Sequence, residues 1–172
     1  MKPLSLDKGL DYQRAEDAGR WLELSIGGEV YLRYMGTDEW RAKLDKAERL
    51  YRIKNRIRPN QEIPQQESER IYRDLVVGSI LADWRGMMVS ANRASELAGH
   101  LDLGAQRNEG GVQVIEIPFS EKNARWFMHN YRDFRAEVVR LSASQEVFRD
   151  ELLAAEADFS VGSSGGASGG NG

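Results

Sequence analysis

Cysteine is absent from all 172 residues, which excludes disulfide staples, thiolate metal sites and a catalytic thiol, and fits a reducing compartment. Histidine is nearly absent. His100 and His129 stand alone, with no second ligand at metal spacing, so no metal and no cofactor is expected. Long apolar runs are missing as well: the longest, Leu75 to Ala82, is interrupted by Gly78 and Ser79, and the opening Met-Lys-Pro-Leu-Ser-Leu-Asp is not a signal sequence. A secreted or membrane-spanning protein is therefore not expected. The chain also lacks a strong charge bias, at a formal net charge of -3, so it has no overall attraction to nucleic acid or anionic lipid.

Recognised catalytic patterns are lacking too. There is no phosphate-binding glycine loop and no dinucleotide fingerprint. Gly-x-Ser-x-Gly occurs at Gly162–Gly166 and again at Gly166–Gly170, but both copies lie in Gly/Ser low complexity, with no strand before and no helix after. Carboxylates such as Asp7, Asp11, Glu16 and Asp17 read as solvated charge, not as tuned acids. An enzyme is not expected. What the chain does have is 41% hydrophobic residues, enough at this length for one domain with a real core.

The pattern along the chain predicts an α+β fold, with an N-terminal β-hairpin and one further strand packed against a mainly helical body of about four helices. Residues 1–19 read as an arm and 20–159 as the domain. The Gly/Ser-rich stretch 160–172 reads as a disordered tail. Leu22, Leu24 and Ile26, then Val30, Leu32 and Tyr34, alternate about Gly27-Gly28, which predicts the hairpin. Thr37 or Asp38 can cap a helix carrying Trp40, Leu44, Ala47 and Tyr51 on one face.

A second helix is predicted from Ser68 to Trp84, closed by Gly86; its second half is apolar all round and so reads as the buried hub. Residues 87–111 read mostly as loop with one helical turn near Ala91 to Ala98, and Val112 to Ile117 as the further strand. Ser120 then caps a helix with Ala124, Phe127, Met128, Tyr131, Phe134, Val138 and Leu141 along one face and a bend near Asn130. A last helix is predicted from Ser144, with Val147, Phe148 and Leu152 inward.

Two stretches invite a partner. Residues 41–58 hold eight cations against two carboxylates, Asp45 and Glu48. Arg41, Lys46, Arg49, Arg52 and Arg56 lie opposite the apolar stripe, as a polyanion or self-association patch or a solvated face would require. Acidic residues of the last helix, Glu146, Asp150, Glu151, Glu156 and Asp158, offer an intramolecular or self-assembly counterpart. The second stretch is the aromatic row of the C-terminal helices. Trp126 lies well off the main apolar face and reads as the anchor for a protein partner, with Met128, Tyr131 and Phe134 beside it.

The arrangement of a hairpin, a charged helix, Ala82-Asp83-Trp84-Arg85-Gly86, then Ile117-Pro118-Phe119-Ser120-Glu121-Lys122-Asn123-Ala124 and a C-terminal helix pair ending near Phe148 resembles the tail assembly chaperones of long-tailed, siphovirus-type bacteriophages. The resemblance covers roughly residues 20–155 and departs from the family's pattern in the longer 87–111 stretch. It implies a non-enzymatic protein of the host bacterial cytoplasm that coats the hydrophobic tape measure protein and helps recruit tail tube subunits (the major tail protein). Such a protein self-associates and is absent from the finished virion. A frameshifted longer form, common in that family, would suit a junction near Ser160. The other readings are a structural or connector protein of a virion and a small nucleic-acid-binding regulator.

Overall fold

The computed structural model describes residues 19–154. Apart from Gly19, the expected arm lies outside the described residues, as do the expected Gly/Ser tail and the acidic positions Glu156 and Asp158.

The fold is α+β: two three-stranded antiparallel sheets, each joined to helices. The hairpin forms as expected, from β1 (Gly19–Glu23) and β2 (Glu29–Arg33), with Trp21 opposite Tyr31 and Leu22 opposite Val30. Its turn is longer than two glycines. The Leu24 carbonyl accepts from the Gly27 N–H, and the Leu24 N–H donates to the Gly28 carbonyl, both at 3.0 Å. A three-residue loop results, and such a loop needs a residue of positive φ, here Gly27 at 96°.

Thr37 caps α1 (Asp38–Lys54), its hydroxyl accepting from the Trp40 N–H at 3.2 Å, and Asp38 and Glu39 sit where the helix N-terminus favours negative charge. Trp40 packs edge-on against Tyr72 of α2 (Gln65–Ser79).

The hub helix predicted over 68–84 is two elements. Helical geometry stops at Val76, where Val77 takes ψ 126° and Gly78 takes φ 83°. The chain then leaves as β3 (Leu81–Arg85), which pairs with β2. The apolar residues that pointed in every direction on one wheel are shared between a helix and a strand, and each element has one buried side. Leu81 and Trp84 share the buried side because the pairing register shifts at Ala82, between Tyr31 and Leu32 of β2, while Asp83 and Arg85 are exposed. The third strand beside the hairpin is therefore β3, not Val112 to Ile117.

The stretch expected to be mostly loop builds a second sheet. β4 (Met88–Ser90), β5 (Gln106–Glu109) and β6 (Val112–Glu116) pair in the order β4-β6-β5, with α3 (Ala91–Leu97) between the first two. β6 is the strand predicted at 112–117, placed in a different sheet. Ser120 caps α4 (Glu121–Asn130), accepting from the Asn123 N–H at 3.1 Å. The expected bend near Asn130 is a break at Tyr131, after which α5 (Arg132–Ala143) begins. Residues 145–148 form a turn and 149–154 are helical, so the last helix starts later than Ser144.

The core lies between the first sheet and the C-terminal helices. Trp84 meets Phe119, Phe127 and Phe134 edge-on at 5.1, 5.4 and 5.9 Å between ring centres. Phe148 is fully buried and packs on Tyr34, as the sequence required of it.

Candidate partner-binding site

Where α4 ends, the backbone at Tyr131 turns to ψ 99°, and the inward row of side chains loses its register. Phe127 stays in the core at 6% exposure, while Tyr131, one helical turn on, emerges to 40%. Trp126 lies on the other side of Phe127. The Phe127 ring is thus flanked by Trp126 at 5.4 Å and Tyr131 at 6.1 Å.

These rings form one wall of a cleft of about 420 Å³. The facing wall is α3, through Arg93, Glu96 and Leu97, and the hairpin loop adds Ile26, Gly27 and Gly28. The floor is made by the turn between β3 and β4, with Met87 and Ile117 buried at 5% and 3%. Met88 and Ile26 stand partly open on the rim, at 39% and 36%. Gly28 is required at its corner: a Cβ there would lie 2.8 Å from the Met87 sulfur and 3.2 Å from the Arg85 carbonyl, on a backbone with φ 80°.

The aromatic wall is tied to its neighbours by hydrogen bonds and ion pairs. The Asn130 side-chain amide donates to the Trp126 carbonyl at 2.9 Å. Arg135 donates to the Met128 carbonyl at 2.9 Å and the His129 carbonyl at 3.3 Å, satisfying groups left open at the end of α4. Burial, and then the nearby Arg73, pull the Arg135 guanidinium down from its ordinary value. From the other side Asp74 of α2 receives Arg125 and His129, each at 2.9 Å. Arg125 is held above its ordinary value chiefly by its hydrogen bond to Glu121.

The lining contains no Ser, Thr, Asp, Lys or His, and its ionisable side chains are Arg93, Glu96 and Tyr131. Such a wall of Met, Leu, Ile and aromatic groups accommodates apolar side chains and can repack around different ones.

Of the four side chains expected to meet a partner, the structure brings Trp126 and Tyr131 to the cleft and corrects the other two. Met128 and Phe134 are wholly buried, because both fall on the face of α4 and α5 that packs on the sheet and on α2. They support the wall and offer no surface. The sequence missed Ile26, Met87, Met88, Arg93, Glu96 and Leu97 as site residues, since Gly86-Met87-Met88-Val89 is too short to show a period and the helical turn expected near Ala91 to Ala98, which forms as α3, shows no apolar face aimed at the aromatic row.

The basic row on α1 is smaller than expected. Arg41 pairs with Asp38 at 3.4 Å. Arg52 donates to the carbonyls of Arg58 and Gln61. Arg56 lies past the helix end, with φ 55°, so it leaves the row. Lys46 and Arg49 are exposed and have no ion-pair partner among the described residues.

Among the described residues no helix is long and apolar enough to cross a membrane. Fold and site together define a small α+β domain with a cleft walled by aromatic and methionine side chains and by Arg93 and Glu96. Residues 35–158 match the model of a protein family described as YdaY prophage protein. The match spans most of the chain, α1 to the last helical turn included, and the chain belongs to the YdaY prophage protein family. It is thus a phage-derived protein. No curated protein and no solved structure matches the chain.

Proposed function

We propose that this prophage protein is a tail assembly chaperone of the host cytoplasm, and that its cleft holds apolar side chains of the tape measure protein while tail tube subunits are recruited. The observation that carries the reading is the cleft: Trp126, Tyr131, Met88, Ile26 and Leu97 line one opening, with Arg93, Glu96 and glycine backbone as its polar groups. Aromatic, methionine and arginine side chains gathered at one opening are the types enriched where proteins meet. A helix laid in such a groove inserts residues spaced at i, i+3 or i+4, and i+7. Phage origin and the resemblance to tail assembly chaperones supply the client: a long, apolar, helical rod that needs cover until the tube encloses it. Nothing in this role requires a catalytic group.

The test is co-expression with the tape measure protein of the same prophage. The wild-type chain is expected to keep the client soluble, and Met88→Lys, which places a cation on the open rim of the cleft opposite Glu116, is expected to lose that ability with an unchanged melting curve. A client that stays equally soluble with Met88→Lys overturns the proposal. Finding the protein in purified particles would favour a structural component of the virion instead.

A further inference from the structure

α3 turns one side to the core and one to the cleft. Ala94 is buried and Leu97 packs against the core, while Arg93, Glu96 and Leu97, spaced by three and four residues, line the opening together. Arg93 and Glu96 are both exposed, and among the described residues neither has an ion-pair partner, not even the other. The charges that adjoin the lining in the chain are already matched. Arg85, next to Gly86, pairs with Glu29 at 2.5 Å, and Glu116, next to Ile117, pairs with Arg107 at 2.7 Å. The rings of Trp126, Phe127 and Tyr131, which share the lining, offer Arg93 and Glu96 no counterion.

An exposed charge without a partner is well hydrated while the cleft is open. It loses that water when an occupant covers it, and an ion desolvated without a counterion costs more than an apolar contact returns. A purely apolar helix is therefore disfavoured against α3, whereas one that brings the opposite charges is not. Three residues along a helix span about 4.5 Å, so Arg93 and Glu96 can be met by an acid and a base three or four residues apart on one side of the occupant.

We propose that the cleft selects an amphipathic helix that carries, along one edge of its apolar stripe, a carboxylate set against Arg93 and an ammonium or guanidinium set against Glu96. The apolar residues supply the buried area, and the two charges decide which apolar helices are admitted. This selection rests on the reading of the cleft as a groove for an apolar helix, and it holds whichever protein supplies that helix.

Anisotropy titration of labelled helical peptides on the full chain tests it. All carry the same leucine stripe; beside it one has Glu and Lys three residues apart, a second has Gln at both places, a third Lys at both. The Glu/Lys peptide is expected to bind the wild-type chain roughly tenfold tighter than the Gln/Gln peptide, the gain of two exposed ion pairs. That lead should shrink as salt is raised from about 0.1 M to 1 M, where the screening length drops from ~10 Å to ~3 Å. Arg93→Glu is expected to reverse the preference in favour of the Lys/Lys peptide with an unchanged melting temperature. Arg49→Glu, the same change of charge on the exposed side of α1, should leave the preference as it is. Equal affinity of the wild-type chain for the Glu/Lys and Gln/Gln peptides, or a preference indifferent to Arg93→Glu, overturns the proposal and leaves the apolar groove standing. Failure of every peptide to bind overturns the groove, and the selection with it.

Discussion

The indole N–H of Trp84, on the first sheet, donates to the main-chain carbonyl of Ile117, just past the end of the second sheet, across 2.8 Å. The same indole ring is the centre of the aromatic core and lies against Phe119, Phe127 and Phe134. One side chain therefore joins the two sheets and packs against both C-terminal helices. Through Phe127 it also sets the depth at which Trp126 and Tyr131 stand in the cleft.

Trp84→Phe keeps most of the ring packing and strands the Ile117 carbonyl, at a cost of ~1–3 kcal/mol for a buried acceptor left without a donor. Trp84→Ala opens a cavity as well and is expected to cost ~3–5 kcal/mol. Urea denaturation of both variants separates the hydrogen bond from the packing.

Asn123 is fully buried and serves three backbone groups with its side chain. It accepts from the Asp102 N–H at 2.8 Å and donates to the carbonyls of Asp102 at 2.8 Å and Pro118 at 2.9 Å. Asn123→Leu, of similar size, leaves all three without this partner, and at ~1–3 kcal/mol for each buried group left unpaired the expected loss is ~3 kcal/mol or more. A melting temperature within a degree or so of wild type would show that the loop after α3 is not held by this side chain.

Gly78 turns α2 into β3 with φ 83° and open space where a Cβ would stand. Gly78→Ala therefore meets no clash, and the expected cost is that of left-handed backbone, ~1–2 kcal/mol. Circular dichroism should show unchanged helix content. A gain in helix would mean that the alanine lets α2 run on into β3, as the sequence pattern alone suggests.

Glu29 and Arg85 pair across β2 and β3 at 2.5 and 3.1 Å, and Arg85 also lies over the Trp21 ring, 4.3 Å from its centre. The hydrogen bond from Arg85, and then its charge, hold the Glu29 carboxyl below the usual carboxylate range, against the opposing effect of burial. A carboxyl lowered in the folded state contributes stability above its unfolded pKa, and that contribution fades as pH falls through the folded one. The gap in melting temperature between wild type and Glu29→Gln should thus be present near neutral pH and shrink below about pH 4.

Trp126→Ala removes the outer ring and leaves Phe127 in the core, so the fold should survive while affinity for an apolar helical peptide drops by ~2 kcal/mol or more, as at an interface hot spot. Phe127→Ala should instead cost ~3–5 kcal/mol of stability. Paired melting and peptide titration read the two effects separately, and equal peptide affinity for folded Trp126→Ala would remove this residue from the site.

Much of the architecture is determined by local sequence. The hairpin follows from alternation around two glycines, α1 and α4 from Thr37 and Ser120 ahead of periodic apolar rows, and the bend near Asn130 from the drift of one long row. Each needs only neighbours in the chain, whose propensities and periods agree. Tertiary structure alone decided where Leu75 to Trp84 divides, because a short apolar run satisfies a buried helix and a buried strand equally. The free edge of β2, which takes Trp84 opposite Val30, settles that choice in favour of a strand. It also decided the second sheet: β6 is legible as a strand, but its partners β4 and β5 are too short and polar to show a period. The cleft follows from both decisions: Trp126 can be read as an aromatic off the core face, but Tyr131 belongs by spacing to the core row, Met88, Leu97 and Ile26 reach them from other elements of the chain, and no local pattern encodes that meeting.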